Sequence, residues 1–233
     1  MDGANPAQEV TELAAEAALL RGHHGEMVHE MERLLGHDQS ATAWRLRGEA
    51  AMAANDSAAA LTDFKRGMGN GDFRIAADYA RFLIDDDNID EADRALKVLR
   101  QSGPDRLDTL MIAGTIAQHR GQLDAAQAAF DDAAKRFPAR VEPLVALADL
   151  SDLRGHLDQT ARYAAAARAR NPGQPQVFLL TVRVAAEQGD WAKVRDLLAP
   201  REGSLDLHSF DGLAYGEALL HLGHAEEARA VYQ

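Results

Sequence analysis

Small and apolar residues recur in residues 107–140 at the three- and four-residue intervals of amphipathic helices, in two runs separated by a glycine. The anchors of the two runs are Leu110, Ala113, Gly114 and Ala117, then Ala126, Phe130 and Ala133. Gly121 lies between the runs, and glycine readily adopts the left-handed conformation that often ends a helix. Pro138 follows the second run and disfavours further helix. The pattern predicts two antiparallel helices joined by a short turn.

The same pattern returns at intervals of 34 residues on both sides. It recurs in residues 73–106, 141–174 and 175–208, and it begins again in 209–233. Two more copies precede these, a clear one in 41–72 that is 32 residues long and a weaker one in about 8–40. One helix pair cannot bury both of its faces, so it must stack on its neighbours. We therefore predict six complete helix pairs and a partial seventh, forming one continuous domain over residues 1–233.

The spacing resembles the tetratricopeptide repeat (TPR) family, in which each unit has a small pair on its first helix and Ala-x3-Phe on its second. Residues 107–140 match every anchor of that pattern, with Ala113 and Gly114 as the small pair and Ala126 and Phe130 on the second helix. The resemblance implies an all-α fold, a right-handed superhelical solenoid of antiparallel helix pairs. It also implies a concave groove lined by the first helices.

In the TPR family, the second, fifth, ninth and twelfth positions of each unit face the groove. Carried over at the fifth and ninth positions, the partner-binding residues are Arg45, Glu49, Arg81, Met111, Thr115, Val145, Asp149, Leu179, Arg183, Leu213 and Glu217. From Met111 onward the fifth position is apolar, which suits an amphipathic helix or an extended peptide with an apolar edge. We expect Arg45, Arg81 and Arg183 to hold acidic groups of that segment. Alternatively, these residues only solvate the groove or pack helix against helix.

The composition narrows the choice of partner. The net charge of -12 argues against nucleic-acid binding and favours a protein partner with a basic segment. The chain has no cysteine, which excludes thiol catalysis and leaves the compartment, cytoplasmic or periplasmic, undecided. Apolar runs are too short to cross a membrane, so we expect a soluble protein without membrane insertion. Arginine outnumbers lysine 21 to 4, which indicates a bacterial source with a high-GC genome.

Three clusters bear a superficial likeness to ligand sites. The acidic run at residues 85–90 lacks the glycine and the distal glutamate of a calcium loop. The histidine pairs are His23 with His24 and His221 with His224, and neither has an evident third metal ligand. Residues 67–72 follow no strand, so they predict a flexible joint rather than a phosphate-binding loop. We therefore predict no metal, no cofactor and no catalytic residue.

The sequence leaves three functions open. The first is a non-enzymatic scaffold for a protein or peptide partner, and the family resemblance implies assembly of a bacterial envelope, pilus or secretion complex. The second is the substrate-recruiting arm of a larger transferase, hydroxylase or peptidase that continues past residue 233. The third is a structural homo-oligomer. The seventh repeat stops just after Tyr232 without a capping helix, which predicts either a longer chain or a homodimer through this end.

Overall fold

The computed structural model describes residues 40–54, 56–68, 72–205 and 209–232, in which there are twelve α-helices and no β-strand. The helices are α1 (Ala41–Ala53), α2 (Ser57–Met68), α3 (Phe73–Asp85), α4 (Ile89–Ser102), α5 (Leu107–His119), α6 (Leu123–Arg136), α7 (Glu142–Leu153), α8 (Leu157–Arg170), α9 (Pro175–Glu187), α10 (Trp191–Leu198), α11 (Phe210–His221) and α12 (Ala225–Val231). The prediction of an all-α fold is confirmed. None of these helices combines the length and the apolar character that a bilayer span requires.

Each repeat predicted from residue 41 onward contains two helices in the expected order. In the sixth repeat, α10 ends at Leu198, two residues before Pro200. A 3₁₀ helix, Ala199–Ser204, continues from it. The repeat predicted at 8–40 lies outside the described residues apart from Ser40, as do residues 69–71 of the expected joint.

The helices group into two compact units, and the boundary falls between Ala126 and Gln127 within α6. In the first unit, α1 packs against α2 and α3 packs against α4, while α3 also contacts α1 and α5. Its core is built from buried apolar side chains of all five helices α1 to α5. The larger ones are Phe64, Ile75, Tyr79, Phe82, Leu83, Leu96, Leu99, Ile112 and Ile116.

In the second unit, α7 pairs with α8, α9 with α10, and α11 with α12. Helix α9 also contacts both α7 and α11, so the first helices of three successive repeats lie side by side. The main core cluster has members on α9, α10, α11 and α12. Its larger residues are Val182, Val194, Leu198, Tyr215, Leu219 and Val231. A smaller cluster joins α7, α8 and α9 through Ala148, Ala164, Leu180 and Val184. Equivalent positions of α7, α9 and α11 therefore share one surface.

The turns between paired helices repeat the same backbone conformation every 34 residues. A residue with positive φ occupies each of the five turns from α3–α4 to α11–α12: Asp87, Gly121, Gly155, Gly189 and Gly223, with φ between 56° and 83°. The amide of Gly121 donates to Gln118 O at 2.9 Å, and the next amide, of Gln122, donates to Ala117 O at 2.8 Å. This pair of hydrogen bonds is the Schellman motif, which satisfies carbonyls at the end of the helix. The left-handed glycine predicted at Gly121 is confirmed.

Asp87 and Gly121 allow a paired test of this turn. A Cβ costs about 1–2 kcal/mol in the left-handed region, and somewhat less for aspartate. A Cβ on Gly121 would meet no atom within 4 Å, so Gly121→Ala should lose about 1 kcal/mol of unfolding free energy through backbone strain. Asp87→Gly should gain about 0.5–1 kcal/mol, because the same strain is relieved. Urea denaturation followed by Trp44 fluorescence in a Trp191→Phe background measures both.

The opposite signs are the decisive result of that test. The Asp87 carboxylate is 90% exposed and lies 3.7 Å from Nδ1 of His119. An ion pair this exposed contributes little to the unfolding free energy, so removing the carboxylate should cost little. Destabilisation by both substitutions would show that the backbone strain at positive φ does not determine the stability effect of substitutions in these turns.

Candidate partner-binding groove

A cavity of about 330 Å³ opens on the surface shared by α7, α9 and α11. Its lining residues are Val145, Asp149, Gln176, Leu179, Leu180, Arg183 and Phe210. Four of the eleven predicted groove residues, at the fifth and ninth positions of α7 and α9, therefore meet in one place. We call the surface of α7, α9 and α11 around this cavity the α7–α9–α11 groove.

Large apolar side chains are left partly exposed in this groove. Leu179 is 41% exposed, Phe210 47% and Leu213 50%. Phe210 and Leu213 are three residues apart on α11, so they lie on the same face of that helix. Apolar side chains grouped on a surface commonly mark a site of interaction with another molecule.

Arg183 and its carboxylate neighbours lie beside these apolar side chains. One terminal nitrogen of Arg183 donates to the Asp149 carboxylate, and its Nε lies 3.8 Å from Oε1 of Glu187. Desolvation lowers the pKa of Arg183. The hydrogen bond and the charge of Asp149 together raise that pKa by more, so the net shift is upward. Burial raises the pKa of Glu187, and the negative charge of Asp152 adds to that shift. Arg183 is thus already bound to a carboxylate of this chain.

The other two predicted arginines are also engaged within the chain. Arg45 donates to Glu49 at 2.5 Å, from the fifth to the ninth position of α1. Arg81 donates to Asp78 at 2.8 Å and to the carboxylate of Asp108 on α5. A partner carboxylate would therefore have to displace or share an internal one. The expectation that these arginines hold acidic groups of a partner remains a prediction.

The remaining predicted residues do not line the cavity. Met111 and Thr115 are partly buried on α5, and the Thr115 hydroxyl donates to the Met111 carbonyl at 3.0 Å. Glu217 is exposed on α11, with its Oε1 3.9 Å from Nε2 of His221. Leu213 and Glu217 occupy the fifth and ninth positions of the last repeat, as Leu179 and Arg183 do in the repeat before it. They therefore continue the fifth-position and ninth-position rows onto α11.

Sequence reasoning missed Gln176 and Phe210, which both line the cavity. Each occupies the second position of its repeat, so the signal was present in the family pattern, but only the fifth and ninth positions were carried over. Leu180 was missed for a different reason. It is 4% exposed and belongs to the core cluster of α7, α8 and α9, so it forms the floor of the cavity.

The acidic run and the histidines have other partners. Asp90 accepts a hydrogen bond from Arg120 at 3.1 Å. Nδ1 of His224 lies 2.8 Å from Oε1 of Glu227, and the His221 ring stacks on Trp191 with 4.2 Å between centroids. Within the part of the chain that the structure describes, no three histidine, aspartate or glutamate side chains are grouped to hold a metal ion. His23 and His24 lie outside that part.

No protein-family model matches the sequence, and no curated protein matches it. Solved structures do resemble it. PilF of Pseudomonas aeruginosa is 18% identical, with a TM-score of 0.66 over 97% of this chain and 95% of that chain. PilW, a widely conserved type IV pilus biogenesis factor, is also 18% identical, with a TM-score of 0.72 over 89% of this chain and 97% of that chain.

A tetratricopeptide repeat protein from Parabacteroides merdae is 13% identical, with a TM-score of 0.72 over 99% of this chain and 85% of that chain. Identities this low show a common fold and leave function open. The fold is that of the tetratricopeptide repeat, in agreement with the 34-residue spacing of the anchors. By its repeats and its structural neighbours, the chain has the TPR fold.

Proposed function

We propose that this chain is a non-enzymatic protein–protein interaction scaffold that binds an amphipathic segment of a partner in the α7–α9–α11 groove. The observation that carries the proposal is the row formed by Leu179, Phe210 and Leu213, each between 41% and 50% exposed. Covering this row with apolar side chains of a partner would remove it from water, which is the main favourable contribution in most protein association. The cavity beside Leu179 would accept an anchoring side chain.

The charges around the groove favour a partner segment that is basic beside its apolar edge. Asp149 lines the cavity, and Asp152, Glu187 and Glu217 are further carboxylates on α7, α9 and α11. Arg183 donates to Asp149, and its Nε lies 3.8 Å from Oε1 of Glu187. Arg183 neutralises one of these carboxylates, so the others would meet lysine or arginine side chains of the partner. Such complementarity contributes chiefly to specificity and to the rate of association.

The biological setting we propose is assembly of a bacterial envelope complex such as a pilus or secretion system. The support is the family resemblance, together with the likeness to PilF and to the pilus biogenesis factor PilW. Because that likeness is one of fold, this part of the proposal depends on finding the partner.

Synthetic peptides test the groove without knowledge of the natural partner. The probe is a labelled helical peptide with leucines on one face and lysines beside them, and fluorescence anisotropy gives its Kd. One control peptide has glutamate in place of lysine, and a second has the same composition as the probe with the leucines dispersed. We expect the probe to bind most tightly. Leu179→Glu should weaken its binding at least tenfold, as expected for an apolar contact at the centre of an interface.

The matched control variant is Leu157→Glu, because Leu157 is 51% exposed but lies on the second helix of its repeat. It should bind the probe as the parent does. An equal loss of affinity in the two variants would place the binding surface outside the groove. Equal binding of the glutamate peptide and the lysine peptide would refute the basic partner while leaving the apolar contact intact.

A further inference from the structure

A second cavity, of about 220 Å³, lies between α8 and α9 with α10 at one end. Ala161 and Ala164 of α8 and Thr181 and Val184 of α9 form its walls. The Thr181 hydroxyl already donates to the Val177 carbonyl at 2.7 Å, so its hydrogen bond is made within α9. The cavity is separate from the α7–α9–α11 groove in the residues that line it.

The equivalent wall positions one repeat earlier, on α6 and α7, carry larger side chains. Phe130, Leu147 and Leu150 stand there in place of Ala164, Thr181 and Val184. These three are 1%, 2% and 2% exposed, so they are packed in the core. We attribute the open crevice between α8 and α9 to these three wall positions, which carry smaller residues than their equivalents one repeat earlier.

The rim of the α8–α9 crevice also has smaller side chains than its equivalents in other repeats, and it lacks their polar bridge between helices. Arg154 of α7 donates to Gln127 Oε1 of α6 at 2.6 Å and bridges the earlier crevice. In the first unit, the equivalent residues Arg120 and Asp93 form an ion pair at 3.6 Å. At the open crevice these two positions are Gln188 and Ala161, and alanine has no polar group to complete a bridge.

Two cations lie where the bridge is missing. Arg168 of α8 and Lys193 of α10 both line the cavity. Neither side chain has an ion pair or a hydrogen bond to any residue in 40–54, 56–68, 72–205 or 209–232. An apolar cavity with two uncompensated positive charges beside it is complementary to a ligand that is apolar at one end and anionic at the other.

We propose that this cavity binds an aryl group that carries a carboxylate. The ring occupies the space beside Ala164, the repeat position at which Phe130 stands one repeat earlier, and the carboxylate binds Arg168 and Lys193. The volume suits such a ligand, since a cavity of about 150 Å³ binds benzene and sites for drug-sized molecules begin at about 300 Å³. The ligand is either a free aryl carboxylate or an aromatic residue next to an acidic residue in a partner peptide.

Titration of ¹⁵N-labelled protein followed by NMR tests the proposal and distinguishes the two sources. The free probes are 3-phenylpropionate, 3-phenylpropanol and propionate, and the peptide probe is acetyl-Asp-Phe-Asp-amide. We expect 3-phenylpropionate to change the amide chemical shifts of α8 and α9 near Ala164 and Val184. The other two free probes should bind with affinities at least roughly tenfold lower. Tighter binding of the peptide than of phenylpropionate indicates a protein source, and the reverse indicates a metabolite. No localised shifts with either probe would overturn the proposal.

Variants assign the binding to this cavity. Ala164→Leu introduces the residue found at the equivalent positions Leu96 and Leu198, and it should abolish binding. Ala161→Gln copies the rim residue of the earlier crevice and should also weaken binding, which provides a second test if Ala164→Leu does not fold. Persistent binding in either folded variant would contradict the site.

The charge contribution has its own matched pair. Arg168→Gln should weaken phenylpropionate binding roughly tenfold but leave phenylpropanol binding unchanged, because only the carboxylate uses the guanidinium. Arg170→Gln removes an equal charge two residues away that does not line the cavity, and it should have little effect. Equal losses in the two variants would show only a general attraction to positive charge.

Discussion

Replacement of Phe64 by alanine should lower the unfolding free energy of the first unit by about 3–5 kcal/mol, the usual range for a buried phenylalanine. Phe64 is completely buried, and its ring centroid lies 6.3 Å from that of Tyr79 and 6.1 Å from that of Phe82. These three rings join α2 to α3, so the space left by the ring opens between two successive repeats. The surrounding helices can close it only by moving together.

The measurement is urea denaturation of the first unit, reported by Trp44 fluorescence in a Trp191→Phe background. With a slope of about 1–3 kcal/mol per molar urea, the midpoint should fall by at least 1 M, a rough lower bound. Leu61→Ala on the same helix is the control, because Leu61 is 37% exposed and should cost less than about 1 kcal/mol. Similar midpoints for the two variants would mean that the ring cluster does not hold these repeats together.

Gly48→Val should destabilise the first unit by about 2–3 kcal/mol through overpacking. A Cβ on Gly48 would lie 2.7 Å from Cε1 of Phe64, and two further ring atoms would lie within 2.9 Å. The ring has little freedom to move because it is completely buried and packs near the rings of Tyr79 and Phe82. The glycine therefore serves the close approach of α1 and α2, as expected where helix ridges cross.

Phe64→Leu should partly rescue Gly48→Val. Valine and leucine already occupy the equivalent positions in another repeat, at Val182 and Leu198, and both are fully buried. In a double-mutant cycle, the two substitutions together should cost at least about 1 kcal/mol less than the sum of the single costs. Ile116→Val on α5 is the control partner and should add independently to Gly48→Val. Simple additivity of Gly48→Val with Phe64→Leu would rule out the proposed fit between them.

Much of the candidate site followed from the repeat position of each residue. Val145, Asp149, Leu179 and Arg183 were predicted from the fifth and ninth positions, and they line one cavity. Phe210 could have been found by the same rule at the second position. The ion pairs could not, because Arg183 and Asp149 are 34 residues apart and Arg81 and Asp108 are 27 apart. Which carboxylate an arginine binds depends on the separation and the side-chain conformations of packed helices, which a position rule does not contain.

By itself the sequence determined the helix pairs and their turns. Both are local properties: apolar residues at helical spacing select the helix, and a residue tolerant of positive φ, such as Gly121 or Gly155, sets its end. Only the tertiary structure decided which crevice remains open. The cavity at Ala164 exists because neighbouring helices bring small residues together without a bridge across the rim, and the space between packed surfaces depends on both surfaces at once.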